Sequence, residues 1–293
     1  MRTIRFARLS FERKLSHYTD ERSAIERRKA ALLEVIDYET DVNSLLIGTN
    51  MEKKINLGQW SFGDISEGKD YISGRIGKVK EEHGRKPDDE VKGFPKVERE
   101  DTDIAFFVID LTNSVMAYEV RHGVGQIAPF TILEAAFNSY YDGEEDISIS
   151  PLVDKDQVRE EIRQLKRISQ VQFKSLKPTN PNSTDRSKPM DDFLQSGQID
   201  RLMFDALNSP DNDGGNDEGI RVEEEPLLDG GLSLAEEGYG KAIVRGKGQD
   251  GEDKMVSTDD RPIESKVDMA EPNDWTIQKL REEIRRALKR LED

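Results

Sequence analysis

Apolar positions change period several times along the chain, and each change marks an element. Thr3–Leu9 alternates, with Ile4 and Phe6 set against arginines, and predicts an opening strand. Ile25, Leu32, Val35 and Ile36 then recur at helical spacing behind Asp20, a suitable N-cap, so a helix is expected over about Glu21–Tyr38. Leu45–Ile47 and Ile55–Leu57 are short strand-like runs, and Tyr71–Val79 alternates as a further strand. Glu81–Asp101 is charged, holds two prolines and shows little period, which predicts a long loop.

The clearest patterning follows. Ile104–Leu111 is apolar on both faces, Thr112-Asn113-Ser114 is a turn, and Val115–Arg121 returns. Helical spacing predicts Thr131–Tyr141 as a helix. It does the same for Asp156–Arg167, where Val158, Ile162, Leu165 and Ile168 share a face. Ile147–Leu152 and Val171–Leu176 complete a β-β-α-β-α-β order. Lys177–Lys188 and Asn208–Asp229 are expected loops, Met190–Leu207 and Leu232–Glu237 helical, and Gly240–Arg245 with Lys254–Ser257 a hairpin. The helix Trp275–Glu292 repeats Ile277, Leu280, Ile284, Ala287 and Leu291 in a 3-4-3-4 rhythm. The fold class is therefore α+β: a mixed or antiparallel sheet with helices on one face, long acidic loops and an amphipathic C-terminal helix. The organisation divides into an N-terminal part (1–100), a central unit (101–180), a loop-rich acidic segment (181–231) and a hairpin with the last helix (232–293).

Composition narrows the chemistry. Charged residues make up 35% of the 293 residues and the net charge is −16, so much of the chain is solvated and a general nucleic-acid coat is disfavoured. The acidity is concentrated in residues 101–150 (−8) and 201–250 (−7), leaving residues 151–200 at +1. With no cysteine, disulfides, thiolate metal sites and cysteine nucleophiles are excluded. No apolar run suggests a signal peptide or a membrane span, and a cytoplasmic protein without membrane contact is expected.

Three sets of side chains are candidates for function. Asp110 ends a very apolar strand, where two-metal nucleases place a ligand. Glu119 and Glu134 are its possible companions, and Mg²⁺ would be needed only in that case. The plainer reading of Asp110 closes the following turn. His17 beside Tyr18 could act as acid and base in metal-free RNA cleavage, or simply be exposed. Arg159, Arg163, Lys166 and Arg167 would share one helix face, with Lys174 and Lys177 following, so they suit phosphates or a solvated ion-paired face. Arg121–Gln126 lies between strand and helix with two glycines, more plainly a connection than a phosphate loop. The seam Ile277, Leu280, Ile284 and Leu291 must dock, either on its own domain or on a partner helix.

Residues 100–270 also resemble an uncharacterised bacterial family associated with abortive phage resistance. The resemblance rests on Phe106-Phe107-Val108-Ile109, on Val115-Met116-Ala117-Tyr118 and on Ile168–Phe173 leading into Lys177-Pro178. It continues in Leu234-Ala235 to Gly240, Gly246 and Asp259-Asp260-Arg261-Pro262. The family's Pro-Asn-Pro-Asp is blurred here to Pro178-Thr-Asn-Pro-Asn182, and the resemblance carries no catalytic residue over. It implies a setting, antiviral defence. The expected role is an accessory or sensor component needing no cofactor. Its partner would be another protein of the same system or a second copy held through the last helix, with RNA or DNA as a further ligand. A defence nuclease is the alternative.

Overall fold

A computed structural model describes residues 1–11, 21–37, 60–85, 96–142, 146–179, 184–208, 219–269 and 274–292. His17 and the expected strands at 45–47 and 55–57 lie outside these residues. The strands are β1 (Arg2–Phe11), β2 (Trp60–Glu67), β3 (Tyr71–Arg85), β4 (Lys96–Asp110), β5 (Val115–Glu119) and β6 (Ile147–Pro151). They continue as β7 (Leu165–Leu176), β8 (Leu202–Leu207), β9 (Lys241–Gly248), β10 (Asp253–Ser257) and β11 (Glu264–Val267). The helices are α1 (Glu21–Asp37), α2 (Ala128–Tyr141), α3 (Lys155–Arg163), α4 (Lys188–Ser196), α5 (Pro226–Glu236) and α6 (Asp274–Glu292).

The architecture is α+β, with the strands in two antiparallel sheets. The larger sheet runs β11-β1-β5-β4-β3-β2, and β6 pairs with β1 beyond β11. β1 is the hub. It pairs with β5 through Ile4–Arg8, with β11 through Arg2–Arg5 and with β6 through Ala7–Phe11. The smaller sheet runs β10-β9-β7-β8. The strands of the β-β-α-β-α-β order are thus shared out, with β4, β5 and β6 in the larger sheet and β7 in the smaller.

The doubly apolar run in β4 follows from its layer. Phe107 and Ile109 pack with Leu32 and Val35 of α1 and Leu133 and Phe137 of α2. Phe106 and Val108 point the other way, to Ile277, Leu280, Ile284 and Leu291 of α6. The larger sheet therefore carries helices on both faces, and the seam of α6 is buried within its own chain rather than offered to a partner helix. Two heptads of apolar spacing cannot hold a helix alone, and the nearest apolar surface is its own sheet. Among the described residues the smaller sheet has helices on one face only, where Val158, Leu194 and Leu232 meet Val171, Phe173 and Val244.

Three elements differ from the pattern reading. The expected loop at 81–101 is largely ladder, with His83 opposite Glu98 and Arg85 opposite Lys96. Backbone pairing does not require apolar side chains, so a ladder nucleated by Ile72–Ile76 against Ala105–Ile109 runs on through charged sequence. The helix expected to Arg167 ends at Arg163. The three-residue spacing of Leu165 and Ile168 comes instead from bulges in β7, between Leu165 and Arg167 and between Ile168 and Gln170. The helix expected within Met190–Leu207 is α4, and the rest of that span is β8, the break falling at Gly197 and Gln198, the latter in the left-handed region (φ 51°).

The sheets meet at Glu236–Gly240. Val153 donates its backbone N–H to the Glu236 carbonyl (3.0 Å) and Lys177 to that of Tyr239 (2.9 Å). Arg8 of β1 donates Nε to the Glu237 carbonyl (2.6 Å) and lies over the Tyr239 ring at 4.7 Å. Gly238 holds φ +84°, and a Cβ there would fall 2.9 Å from the Arg8 Cβ, so a side chain would strain the backbone and push the sheets apart.

Because Leu280 is fully buried against the sheet, Leu280→Ala should lower the unfolding free energy by about 3 kcal/mol. Urea titration measures this, and the sedimentation mass of the folded protein should not change.

Candidate functional site

The carboxylates suggested as a metal set do not converge. Asp110 is buried at the end of β4. Its Oδ1 accepts from the backbone and side-chain N–H groups of Asn113, both at 3.0 Å, and its Oδ2 from Arg281 Nε at 3.0 Å. Arg281 also pairs with Asp70 and lies 5.2 Å above the Tyr71 ring. Asp110 therefore closes its turn and ties α6 to the sheet. Glu119 is buried too, accepting from Arg121 Nε (2.9 Å), Arg2 (3.2 Å) and the Phe106 N–H (3.3 Å). Since Asp110 pairs with Val115, it stands four strand residues, about 13 Å, from Glu119's neighbour Phe106. Glu134 projects from α2 and accepts the Ile149 N–H at 2.8 Å. Among the described residues, no three His, Asp or Glu side chains stand together as a metal site. His122 is exposed in the turn after β5.

That turn is closed by the Gly125 N–H donating to the Arg121 carbonyl (2.8 Å), and Arg121 Nη1 donates to the Ile104 carbonyl (3.0 Å). A Cβ at Gly123 would fall 1.7 Å from Asp103 Oδ2. A carboxylate occupies the space beside Gly123, which suits a connection and not a phosphate cradle.

The basic set is dispersed. Arg159 is buried, and its guanidinium reaches Glu236 (2.9 Å), Asp229 (2.5 Å) and Ser233 (2.9 Å), with Glu223 at 3.5 Å. Arg163 is held by Glu223 at 2.8 Å. Lys166 is exposed at the start of β7, while Arg167 donates to Asn208 Oδ1 at 2.7 Å. Lys177 is buried at the junction of the sheets, close enough to Glu134 to draw its pKa down. With β7 beginning at Leu165, no single helix face carries these residues. Three of the six nucleic-acid candidates, Arg159, Arg163 and Arg167, are taken up by partners within the fold.

Two buried carboxyls stand out. Burial pushes Glu236 up to about 7, with Asp229 adding to the effect against the pull of Arg159, and Glu236 Oε1 has no hydrogen-bond partner. Burial likewise pushes Glu134 up to about 7 against the Ile149 N–H and Lys177. Glu237 is raised by burial as well, although Thr184 Oγ1 (2.6 Å) and Ser187 Oγ (3.4 Å) donate to it. Glu236 and Glu237 tie α3, α5 and the junction together, and Glu134 ties α2 to β6.

Among the described residues, one face of the smaller sheet carries no helix, although Ile243 and Ser257 on it are buried. Its rows follow from register: Met255, Arg245, Gln170 and Leu207 align across β10, β9, β7 and β8, and Ser257, Ile243, Gln172 and Asp205 form the next row. Arg245 Nη1 donates to Oε1 of both Gln170 and Gln172 at 2.8 Å. Gln170 and Gln172 in turn donate their Nε2 to Asp205 at 2.8 and 2.9 Å. These bonds hold Asp205 below the usual carboxylate range, with Arg245 and Lys174 contributing by their charge. The result is a polar ladder three strands wide, each amide polarised by an ion on either side. Met203 (75% exposed), Leu207 (68%) and Met255 (57%) rim it with apolar surface. Of the sequence candidates only Lys174 lies here. The polar alternation Gln170-x-Gln172-x-Lys174 was visible in the sequence. Its partners on β8 and β9 were not, because each lies more than thirty residues away.

Among the described residues, the fold is a two-sheet α+β architecture in which one face of the smaller sheet carries no helix. Residues 2–285 match the model of a family described as a domain of unknown function, DUF4747, and the chain belongs to that family. No curated protein matches it significantly.

Two outcomes test this geometry. Arg281→Ala leaves Asp110 buried without its cation and should cost about 3–5 kcal/mol in urea unfolding, whereas Asp110→Asn with Arg281→Met should recover much of the loss. Glu236 and Glu134 have folded pKa values raised above their ordinary 4.5, so the stability from their neutral forms is full below pH 4.5 and is lost as pH rises through about 7. Glu236→Gln should therefore flatten the fall in stability between pH 5.5 and 8 by on the order of 2 kcal/mol. Thermal melts of both proteins at the two pH values read the difference.

Proposed function

We propose that this chain is a non-enzymatic binding component of a prokaryotic antiviral defence system, holding a protein partner on the helix-free face of its smaller sheet. The observation that carries the reading is the Arg245–Gln170/Gln172–Asp205 ladder rimmed by exposed Met203, Leu207 and Met255. Hydrogen bonds fix those polar groups in advance, so little side-chain freedom is lost when a partner covers them. Exposed methionines adapt to the shape of a contacting surface. The defence setting follows from the resemblance of residues 100–270.

A nuclease has less support, because Asp110 and Glu119 are both engaged by arginines and stand apart. No helix among the described residues is long and apolar enough to cross a membrane, so the reading requires no membrane contact.

The test is phage plating on cells carrying the gene with its native neighbours. Met255→Glu, at an exposed position, should restore plaque formation by about tenfold or more if partner contact is lost, while the purified variant melts within a few degrees of the wild type. Full protection by Met255→Glu and by Arg245→Ala would overturn the assignment to this face. Cleavage of DNA or RNA by the purified chain would overturn the non-enzymatic reading.

A further inference from the structure

The chain has seven methionines and no cysteine, so thioethers are its only sulfur. Among the described methionines, Met116, Met190 and Met269 are buried, and Met1, Met203 and Met255 are exposed. Met1 begins the chain. The other two stand on the helix-free face of the smaller sheet, Met203 on β8 and Met255 on β10, with the polar ladder between them. Oxidants reach exposed thioethers first, so their chemistry falls on this face.

Met255 has a particular neighbour. It is the cross-strand partner of Arg245, and directly opposed side chains in an antiparallel pair have Cβ atoms about 5 Å apart. Arg245 uses Nη1 alone to hold Gln170 and Gln172. Among the described residues, its Nε and Nη2 groups donate to no acceptor. A thioether is a weak acceptor and leaves those N–H groups to water. A sulfoxide at the same position is polar and presents an oxygen to them.

We propose that Met203 and Met255 are oxidation sites, and that the sulfoxide of Met255 takes Arg245 as its donor, draws it off Gln170 and Gln172 and so releases the partner. The oxidant is a hydroperoxide such as hydrogen peroxide. The sulfur lone pair attacks one peroxide oxygen, the O–O bond breaks and an S–O bond forms. Sulfur gives up two electrons, and the hydroxyl proton passes to the departing oxygen, which leaves as water. At Met203 the same reaction turns part of the apolar rim polar. Enzymes that reduce methionine sulfoxide reverse both changes. The proposal rests on the reading of this face as the partner site and adds its regulation.

The test uses the full chain, with hydrogen peroxide as oxidant. Peptide mass mapping of the folded protein should find Met203 and Met255 oxidised about tenfold or more faster than Met116, Met190 and Met269, which react only after local opening. The side-chain amide signals of Gln170 and Gln172, followed by nitrogen-15 NMR, should shift in step with Met255 oxidation. They should return after reduction by sulfoxide reductases of both epimer specificities. In Met255→Leu the same treatment should leave them in place. Equal oxidation of buried and exposed methionines would overturn the proposal, as would glutamine signals that stay still while Met255 is converted. In cells, sublethal peroxide should raise plaque counts by about tenfold relative to cells lacking the gene, and overproduced reductase should reverse the rise. Met255 that stays reduced in those cells overturns the switch. If Met255→Glu loses protection and peroxide-converted wild type keeps it, the face stands and the switch falls. If Met255→Glu and Arg245→Ala both protect fully, face and switch fall together.

Discussion

Everything else in this molecule is arranged around the crossing at Glu236–Gly240. Two sheets with separate cores meet there, and a backbone buried between them has no water to bond. Its carbonyls must therefore find donors, and they do: Val153 for Glu236, Arg8 for Glu237 and Lys177 for Tyr239. Those donors come from the larger sheet, the segment beyond it and the end of β7, so satisfying one short stretch fixes how the sheets are oriented. Glycine at 238 is the steric counterpart, since any side chain would press on Arg8.

The same crossing explains why so many charges are buried. α5 ends at the junction and brings Glu236 and Glu237 with it. Arg159 reaches across from α3 to meet Glu236 and Asp229, and Lys177 sits near Glu134 of α2. Replacing such groups by apolar ones can leave stability unchanged, whereas removing one partner is expensive. Their effect is therefore on specificity of packing: each pair permits one relative placement of helix and sheet. Arg281 with Asp110 does the same for α6, whose apolar seam alone could slide along the sheet by a turn.

Several titratable groups, Asp110, Glu119, Arg159 and Glu236 among them, are committed to holding the fold. Among the described residues, the smaller sheet carries a fixed polar ladder with exposed Met203, Leu207 and Met255 beside it, on the face without helices. The two acidic blocks have different surroundings. In 101–150, Asp110 and Glu119 are neutralised by arginines from α6, β1 and the turn after β5. In 200–225, acids outnumber bases nine to two along the stretch that contains β8. Among the described ones, Asp205 is held by Gln170 and Gln172, Glu223 by Arg163 and Glu224 by Arg221.

Elements with a core to face were legible from the chain alone. The run Phe106–Ile109, the helices around Leu133 and Leu280, and the hairpin of β9 and β10 all carry the period of the surface they bury, because burial is what selects apolar side chains. The chain also determined the α+β class and the exclusion of cysteine chemistry. Tertiary structure decided the rest. It made Leu165 and Ile168 a bulged strand instead of a helix, continued the β3–β4 ladder through charged sequence, and turned the α6 seam inward. It also separated Asp110, Glu119 and Glu134, and it brought Arg245, Gln170, Gln172 and Asp205 onto one sheet face in two adjacent rows. The reason is common to all of these. Period along a chain records which face is buried, but register and ion pairing depend on residues far away in sequence, and no local pattern encodes which distant group will be opposite.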